Sequence, residues 1–539
     1  MLPKEKESIM AILVSNIKTG LGATQEEIFA KAVKTAKITP EQVKKIYLVK
    51  TSVDARKQNN IHFVSSVAVE VAGQEEAVVK KAGSRDVSLQ KSQPLVWPKG
   101  EQPLTAPPVI AGFGPAGMFA ALILARAGYC PVVLERGADV DQRVQKVEDF
   151  WNHCRLDTQT NVQFGEGGAG TFSDGKLTTR ISDPRCGYIL EELIAHGAPE
   201  EIRYKQKPHV GTDNLRHIVK SIRQEIISLG GQVHFNTRLE NLCLQNGRVQ
   251  GVITSRGPVP AQAVVAAVGH SARDTFQMLE QNKVFLEPKP FSVGVRVEHP
   301  QQLIDQGLYG SLAGSPVLPK GEYQLSHREG HRGVYTFCMC PGGAVVPSAS
   351  EEETVVTNGM SQYARDGANA NAAVVVSVTS DDFGAAPLAG VDFQRHLEQR
   401  AFVLGGKNYT APAQTVCSFL GGSISLEQCT TKPTFANGVV EQNLGDLFPP
   451  QVTQMLRTGF AVFDRKIKGF AGPQAVITGV ETRTSSPVRI TRGENMQALG
   501  IEGLYPCGEG AGYAGGIVSA AVDGVRVAQQ IMAQYRPLK

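Results

Sequence analysis

The chain has 539 residues, of which 42% are hydrophobic and 20% charged, a composition typical of a globular protein and not of a disordered one. At one domain per about 150 residues, this length predicts about three domains. The formal net charge is +4, and residues 1–100 carry 16 Lys and Arg against 10 Asp and Glu, so the basic excess belongs to the N-terminal segment. That segment has no basic run with interleaved aromatic residues, which disfavours a nucleic-acid site.

The cysteines and the N-terminal residues indicate in which cellular compartment we expect the protein. Nine cysteines include no C-x-x-C pair, which argues against a disulfide framework and against a four-cysteine zinc site. Residues 1–16 hold charges of both signs and no sustained apolar run, so we expect no signal peptide and a cytoplasmic, reduced protein. The apolar stretch 107–124 contains three prolines and three glycines, so no membrane span is predicted.

Residues 1–100 are predicted to form a small N-terminal α/β domain. Ala11–Ile17 and Val67–Val71 have the pattern of strands, and Thr24 with Glu27 forms a capping box for a helix. Thr39 and Pro40 open a short helix before the next strand, at residues 46–49. Residues 92–108, with five prolines, are the predicted linker.

Residues 107–136 carry the strongest motif of the chain. An apolar run at 109–111 predicts a buried strand, and Gly112, Gly114 and Gly117 follow it as G-x-G-x-x-G. Such a turn lets a pyrophosphate approach the backbone at the N-terminus of the following helix. A second strand, at 131–134, ends in Glu135, a carboxylate suited to both hydroxyls of an adenosine ribose. The sequence therefore predicts a dinucleotide site.

The same glycine pattern recurs at 165–170 and 510–515, but neither copy has the strand, helix and acid that frame the first. Residues 162–179 are rich in glycine and polar residues, and we expect a ligand-contacting loop there in preference to a plain surface loop. Downstream, the pattern predicts a helix at 215–226, strands at 232–235 and 263–268, and a hairpin turn at Asn246-Gly247.

The predicted fold class is α/β, a Rossmann-like dinucleotide-binding domain with an inserted mixed α+β domain. Residues 107–286 form its first part, 287–474 the inserted substrate or cap domain, and 475–539 its C-terminal part. The insertion is predicted from strands at 293–297 and 374–378, a turn at Asn358-Gly359, and helices at 393–404 and 451–466. The last part shows a strand, a glycine-rich turn with Glu509 and a helix starting near Gly516.

Seven segments together give the chain its likeness to known proteins. It resembles the flavoproteins with two dinucleotide-binding domains and, more closely, the large bacterial FAD-dependent dehydrogenase or oxidoreductase family of unassigned substrate. The matching segments are GFGPAGMFAAL (112–122), VLERG (133–137), FGEGGAGTFSDGKL (164–177), FCMCPGG (337–343), TNGMSQYARDG (357–367), GVETRTSSPVRI (479–490) and GEGAGYAGGIVSAAVDG (508–524).

That resemblance implies FAD as cofactor. Gly112, Gly114 and Gly117 would hold the pyrophosphate and Glu135 the ribose, and the backbone near Leu239 would meet the adenine. Glu509 stands where related proteins place an Asp on the ribityl chain, and Gly516 and Ile517 would face the flavin pyrimidine. The other predicted cofactor contacts are Pro115, Ala116, Arg136, Gly168, Gly170, Ser173, Lys176 and Gly269.

Four residues are candidates for catalysis beside the flavin. Cys338 and Cys340 would share one face of a strand and form a thiol pair, although buried cysteines are commonly core residues. Arg483 could clamp a substrate carboxylate or take part in an ion pair, and His209 could donate a proton or be structural. His327 and His331 are separated by Gly330, which weakens a helical metal site, so no metal is predicted.

The predicted function is that of an FAD-dependent oxidoreductase that transfers a hydride between flavin and a small organic substrate. Without a second nucleotide-binding domain, either NAD(P)H would bind transiently as electron donor or the substrate itself would reduce the flavin. Two alternatives stay open: a flavoprotein that acts on RNA through the basic N-terminal domain, and a non-catalytic FAD-binding sensor. A membrane partner is not expected, and a nucleic acid is the less favoured partner.

Overall fold

The computed structural model describes residues 10–73, 75–91 and 94–538. The signal-peptide expectation for the N-terminus rests mainly on residues 1–9, and the predicted linker begins with Ser92 and Gln93; these positions lie outside the described residues. Within the described ranges, no helix combines the length and the apolar character that crossing a bilayer requires.

The N-terminal unit is a four-stranded antiparallel sheet with two helices on one face. Its β-α-β-β-α-β order and sheet order β2-β3-β1-β4 are those of the ferredoxin-like arrangement. As predicted, Thr24 caps the first helix, and its Oγ1 accepts a hydrogen bond from the Glu27 amide at 3.3 Å. The elements are β1 Met10–Thr19, α1 Gln25–Thr35, β2 Val43–Asp54, β3 His62–Val71, α2 Glu75–Ala82 and β4 Val87–Lys91.

The G-x-G-x-x-G turn at residues 112–117, here called the fingerprint, lies in a second unit. This unit is built on a five-stranded parallel sheet whose strands come from distant parts of the chain. A three-stranded antiparallel sheet lies beside it, and its hairpin turns at Asn246 and Gly247, both with positive φ, as predicted. The elements up to residue 281 are β5 Val109–Ala111, α3 Pro115–Arg126, β6 Val132–Leu134, α4 Val140–His153, α5 Arg185–Ala195, α6 Gly211–Ser228, β7 Gln232–His234, β8 Leu239–Gln245, β9 Arg248–Thr254, β10 Gly257–Pro260, β11 Val264–Ala266 and α7 Arg273–Gln281.

Between these and the C-terminal elements stands a third unit with a seven-stranded mixed sheet, whose order is β14-β15-β18-β13-β21-β19-β20. One face of the central strands packs on an apolar core, and the other carries buried polar residues such as Arg296 and Glu298. The elements are β12 Leu286–Pro288, β13 Phe291–Pro300, α8 Gln301–Tyr309, β14 Ser326–Glu329, β15 Arg332–Cys340, β16 Ala344–Pro347, β17 Thr357–Met360, β18 Asn369–Val378, α9 Ser380–Phe383, α10 Ala389–Leu404, β19 Ala411–Thr415, α11 Val416–Phe419, β20 Val439–Glu441, α12 Pro450–Lys466 and β21 Val476–Glu481.

The chain then returns to the parallel sheet through β22 Val488–Ile490, β23 Leu504–Pro506 and α13 Ile517–Gln534. β23 pairs with β11, so the parallel sheet has the order β23-β11-β5-β6-β7. α13 packs against α3, where Gly524 admits close approach: a Cβ there would lie 2.1 Å from the Ala116 carbonyl oxygen. Short 3-10 turns stand at Pro40–Gln42, Gln58–Asn60, Ala169–Phe172, Glu200–Arg203, Gly310–Leu312 and Leu444–Asp446.

The predicted turn at Asn358-Gly359 is wrong. Both residues lie inside β17 and pair with β16. Gly359 has another reason to be glycine, because a Cβ at this position would lie 2.1 Å from Nη1 of the buried Arg296. The dipeptide therefore marks a close side-chain approach and not a reversal of the chain.

Candidate functional site

A large cavity of about 2010 Å³ lies at the carboxyl edge of the parallel sheet. The residues that follow β5, β6, β11 and β23 all line it, as the topology of an open parallel sheet requires. The glycine-rich loop 163–181, the N-terminus of α13 and strand β15 form the other walls. The cavity thus joins all three segments in which the sequence predicted ligand contacts.

The three glycines of the fingerprint are accounted for by different structural features. Gly112 has φ +101°, and a Cβ there would lie 2.3 Å from the Ala267 carbonyl oxygen. A Cβ on Gly117 would lie 2.0 Å from the Gly112 carbonyl oxygen. By contrast, a Cβ on Gly114 would meet only the Gly168 Cα, at an ordinary 3.6 Å. The fold needs the first two glycines, whereas Gly114 leaves open space that fits a pyrophosphate.

Glu135 is held tightly by the backbone around it. Its Oε2 accepts a hydrogen bond from the Phe113 amide at 2.8 Å, and its Oε1 accepts from Gly137 at 2.9 Å and from Gly165 at 3.0 Å. A carboxylate has about four acceptor positions, so one remains, on Oε2, for a ligand hydroxyl. Glu135 was predicted to bind both ribose hydroxyls, but the remaining acceptor position leaves room for a hydrogen bond from only one of them.

The glycine-rich loop contacts both halves of the site. Gly168 lies against Gly114, and Gly170 lies against Ile517 at the start of α13. Most of the predicted cofactor contacts line the cavity; Gly117 does not, since it is buried beneath Gly112. The residues that line it are Gly112, Gly114, Pro115, Ala116, Glu135, Arg136, Gly168, Gly170, Ser173, Lys176, Leu239, Gly269, Glu509, Gly516 and Ile517.

Glu509 projects into the cavity with no hydrogen bond from any described residue to its carboxylate. Removal from water raises the pKa of this group to about 7, and the positive charge of Lys289 opposes that rise. Lys289 also lines the cavity and forms no side-chain hydrogen bond within the described ranges. An acid and a base that form no side-chain hydrogen bond with the described residues fit a polar ligand such as the ribityl chain of FAD.

The two predicted cysteines lie at an irregularity of β15 and differ in exposure. The register of β15 with β18 shifts between Phe337 and Cys340, and Cys338 has φ +43°. Because this irregularity breaks the alternation of side chains, Cys338 lines the cavity while Cys340 is buried in the core. The two thiols are nonetheless neighbours, since a hydrogen bond joins them, but only Cys338 lines the cavity.

The electrostatics of Cys338 favour a thiolate. A hydrogen bond from the Cys340 thiol, together with the charges of Arg296 and Lys176, holds the pKa of Cys338 below its usual range despite burial. The same hydrogen bond and burial raise the pKa of Cys340 well above the usual range. Cys338 is therefore the member of the pair with the properties of a reactive group.

Lys176 stands in the cavity wall on a buried network of charges. Its ammonium contacts the carboxylate of Asp174, which is fully buried and also binds Arg365 and Ser361. Burial disfavours the charged ammonium, but the negative charge of Asp174 has the larger effect, so the pKa of Lys176 is raised. The lysine is thus a fixed positive charge at the wall that also holds Cys338.

Arg483 lines the cavity but is not free to clamp a carboxylate. Its Nε and Nη2 donate to the two oxygens of Glu398, at 3.1 and 3.0 Å, and its Nη1 donates to the Ser350 hydroxyl. Glu398 is fully buried and also binds Arg273 at 2.8 Å. Since the guanidinium fork is already occupied, the ion-pair alternative for Arg483 is the one that the geometry supports.

His209 lies behind the cavity wall and does not line it. Its ring stacks on Tyr363 with centroids 5.2 Å apart, and its Nε2 lies 3.0 Å from the Tyr363 carbonyl oxygen. Burial lowers the pKa of His209. The geometry therefore gives this residue a structural position and not that of a proton donor to a ligand.

Several cavity residues have no motif around them. Lys289 is flanked by Pro288 and Pro290, a local signal that could have singled it out. Val49 and Lys50 come from the N-terminal sheet, and only the tertiary structure brings them to the cavity. Among the described residues, no group of three or more His, Cys, Asp or Glu side chains has the geometry of a metal site.

Comparison with solved structures gives several weak likenesses to flavoenzymes. Glycine oxidase from Bacillus cereus is 12% identical, with a TM-score of 0.31 over 79% of this chain and 95% of that chain. L-amino acid deaminase from Proteus vulgaris is 10% identical, with a TM-score of 0.34 over 83% and 94%. TM-scores at this level carry no weight for the reaction or the substrate.

Comparison with known sequences gives stronger matches than comparison with solved structures. The chain is 46% identical over 530 residues to an uncharacterised protein of Clostridium beijerinckii, an alignment that covers 98% of this chain and 99% of the relative. Residues 11–70 match a domain of unknown function (DUF8436), and residues 290–484 match the model described as FAD-dependent protein, C-terminal domain-like. The chain belongs to the family of FAD-dependent proteins that carry this C-terminal domain.

Proposed function

We propose that the protein is an oxidoreductase that binds FAD in the cavity at the sheet edge and oxidises or reduces a small organic substrate there. The observation that carries this proposal is the convergence of the fingerprint turn, the unpartnered Glu509 and the N-terminus of α13 on one cavity. When bound, FAD supplies the hydride chemistry. The protein's own residues then bind, orient and exchange a proton with the substrate.

In this proposal, the cofactor lies along the carboxyl ends of the parallel strands. The open space at Gly114 takes the pyrophosphate, and the free acceptor position of Glu135 takes one ribose hydroxyl. Glu509, which burial shifts toward the neutral form, can donate a hydrogen bond to the ribityl chain. The first-turn amides of α13 have no intrahelical acceptors and would stabilise negative charge on a bound ring.

We place the substrate between the cofactor and β15, where Cys338 and Lys176 line the same wall. A thiolate at Cys338 can accept the proton that a substrate hydroxyl or amine loses when its carbon gives up a hydride. The ammonium of Lys176 can hold a negative charge on the substrate. Arg483 stabilises this wall through its ion pair with Glu398, and we assign it no contact with the substrate.

The test is spectroscopic, followed by kinetic. The purified protein is expected to be yellow, to release FAD on denaturation and to be reduced anaerobically by NADH, NADPH or dithionite in a stopped-flow instrument. A screen of amine, hydroxy-acid and quinone-type compounds then identifies a substrate. A colourless protein that takes up no FAD contradicts the proposal, and a yellow protein without any turnover supports the sensor alternative.

Cys338→Ser provides the residue-level test. If Cys338 accepts the substrate proton, kcat falls by roughly 10²-fold or more and its pH dependence changes, while FAD content stays the same. Cys243→Ser is the matched control, because Cys243 lies on β8 outside the cavity. Equal kcat values for the two variants contradict the assigned role.

A further inference from the structure

The cavity is larger than one cofactor requires. Cavities that hold a single small ligand measure roughly 300–1,000 Å³, whereas this one measures about 2010 Å³. Beyond the predicted FAD contacts it continues to an entrance, which we define as the lining residues of 49–50, 178–181 and 202–207. There is room for a second ligand between the cofactor and the entrance.

Three separate parts of the chain meet at this entrance. The amide of Thr51, in edge strand β2, donates to the Tyr204 carbonyl oxygen at 2.7 Å, and the Gln206 amide donates to the Thr51 carbonyl oxygen at 2.9 Å. Residues 176–177 pair with 208–209 through the Leu177 amide, which donates to Pro208 at 2.9 Å. The N-terminal domain is thereby fastened to the rim of the cavity.

The lining residues of the entrance are rich in positive charge. Five of its lining residues are lysine or arginine, and none is aspartate or glutamate: Lys50, Arg180, Arg203, Lys205 and Lys207. Lys50 and Arg180 form no ion pair and no side-chain hydrogen bond with any described residue. Arg203 and Lys205 pair with the partly exposed Glu191 and Glu201, and Lys207 lies 3.8 Å from Glu322. The first two of these pairs are largely exposed, and exposed ion pairs are weak and can yield to a ligand.

Apolar groups stand among these cations. Ile181 is 42% exposed, and Val49 and Tyr204 are half-buried at the same entrance. A single carboxylate would use few of the five cations, whereas phosphate groups carry more charge and bind several lysines as point charges. A flat or apolar group could cover the isoleucine and the tyrosine.

We propose that the entrance binds a small phosphorylated ligand that also carries a flat or apolar part, the chemistry of a nucleotide. This inference rests on the proposed function, since it assigns to the same cavity the second reactant of the flavin. The N-terminal domain contributes Lys50 and Val49 to the site and is therefore part of the active-site architecture. A deep cavity behind the cations favours a small ligand over RNA.

ADP is the probe, titrated by calorimetry into the FAD-saturated protein at low ionic strength. We expect binding that weakens as salt rises and that the double variant Lys50→Ala/Arg180→Ala weakens about tenfold or more. Lys44→Ala is the matched control, because Lys44 is exposed on the same strand and does not line the cavity. Absorbance at the flavin band verifies that ADP does not displace FAD.

The proposal is overturned if ADP does not bind to the yellow protein or if the double variant and the wild type bind ADP with equal affinity. Displacement of ADP by an RNA oligomer also overturns it. A protein that holds no FAD contradicts the proposed function alone, since the double variant still reports on the entrance. If NADPH reduces the flavin of the wild type and the reduction is slower in the double variant, the ligand of the entrance is an electron donor. ADP binding without reduction by NADPH or NADH identifies a phosphorylated substrate.

Discussion

At the scale of single residues, Gly114 is the clearest marker of a ligand. Gly112 and Gly117 are required by contacts within the protein, since a Cβ would lie 2.3 Å from a carbonyl oxygen at the first and 2.0 Å at the second. Gly114 has an ordinary φ of −78° and room for a side chain. The protein alone would allow a larger residue at this position, and the proposed pyrophosphate site accounts for the glycine.

We expect Gly114→Glu to fold and to purify without colour. The new carboxylate occupies and repels the pyrophosphate position, so FAD affinity falls by roughly 10²-fold or more, as fluorescence titration of FAD would measure. Thermal unfolding of the FAD-free variant should match that of FAD-free wild type. Gly114→Ala is the milder control, and a yellow Gly114→Glu protein would show that the diphosphate binds elsewhere.

Glu509 predicts a pH dependence of stability in the FAD-free protein. Its folded pKa, about 7, lies above the ordinary value of 4.5, so the folded state binds the proton more tightly than the unfolded state. Stability is therefore lost as pH rises from about 5 to 7, by at most about 3 kcal/mol since the carboxyl faces a cavity open to water.

Glu509→Gln should remove this dependence. We expect its melting temperature to equal that of wild type near pH 5 and to exceed it increasingly up to about pH 7, in thermal unfolding of FAD-free protein. Glu494→Gln, at an exposed position, is the control. Parallel pH curves for wild type and Glu509→Gln would refute the shifted pKa.

Cys338 predicts selective thiol chemistry. Because Cys340, Arg296 and Lys176 hold the pKa of Cys338 below its usual range, iodoacetamide should alkylate it at pH 7 at least about tenfold faster than Cys340. Its rate should stop rising with pH below the range in which ordinary thiols ionise. Mass spectrometry of digested protein measures both rates, and equal labelling of the two residues would contradict the assignment.

At the scale of elements, a buried ion cluster joins three parts of the fold. Glu398 of α10 binds Arg273 of α7 and Arg483, which follows β21. Glu398 is fully shielded from water, and these two cations hold its pKa at about 2 against the effect of burial. The cluster fastens the inserted sheet to the parallel-sheet unit beside the cavity.

Arg483→Ala is expected to lower the free energy of unfolding by about 3 kcal/mol, because it leaves a buried carboxylate with one cation fewer. Urea denaturation measures this, with the exposed Arg256→Ala as control. If Arg483→Ala instead keeps its stability and raises the KM of a carboxylate substrate more than tenfold, the arginine is a substrate clamp after all.

At the scale of the whole molecule, the N-terminal domain is docked through an edge strand. β2 has β3 on one side only, and Thr51 uses its free side to bond with residues 204 and 206. Gln58 adds a second link, since its Nε2 donates to the Gly307 carbonyl oxygen at 2.9 Å. An exposed edge is thereby covered and a cavity wall is completed by the same contacts.

Thr51→Pro should loosen this docking. Proline lacks the amide that binds Tyr204, and an edge position tolerates it within the sheet. Hydrogen exchange measured by mass spectrometry is expected to rise at least about tenfold in residues 49–52 and 204–206, and to stay unchanged in α3 and α13. Unchanged protection at 204–206 would mean that the two units are held together by other contacts.

Much of the architecture could be predicted because its signals are local. The fingerprint turn, the capped helix after Thr24, the hairpin at Asn246-Gly247 and the strands around Val293 and Val374 all follow from neighbouring residues. Backbone conformation and side-chain periodicity depend on short spacing, so a single sequence carries them. The dinucleotide turn is determined in the same way.

The tertiary structure decided the roles that depend on distant partners. Arg483 is occupied by Glu398, 85 residues away, and His209 by Tyr363, 154 residues away. The split of Cys338 from Cys340 depends on a register shift against β18, and Lys50 reaches the cavity only through docking of its domain. The sequence by itself determined the turn at which we predict that a dinucleotide binds. Tertiary packing decided which polar side chains remain free to meet a substrate, because a buried charge binds whichever partner the fold brings to it.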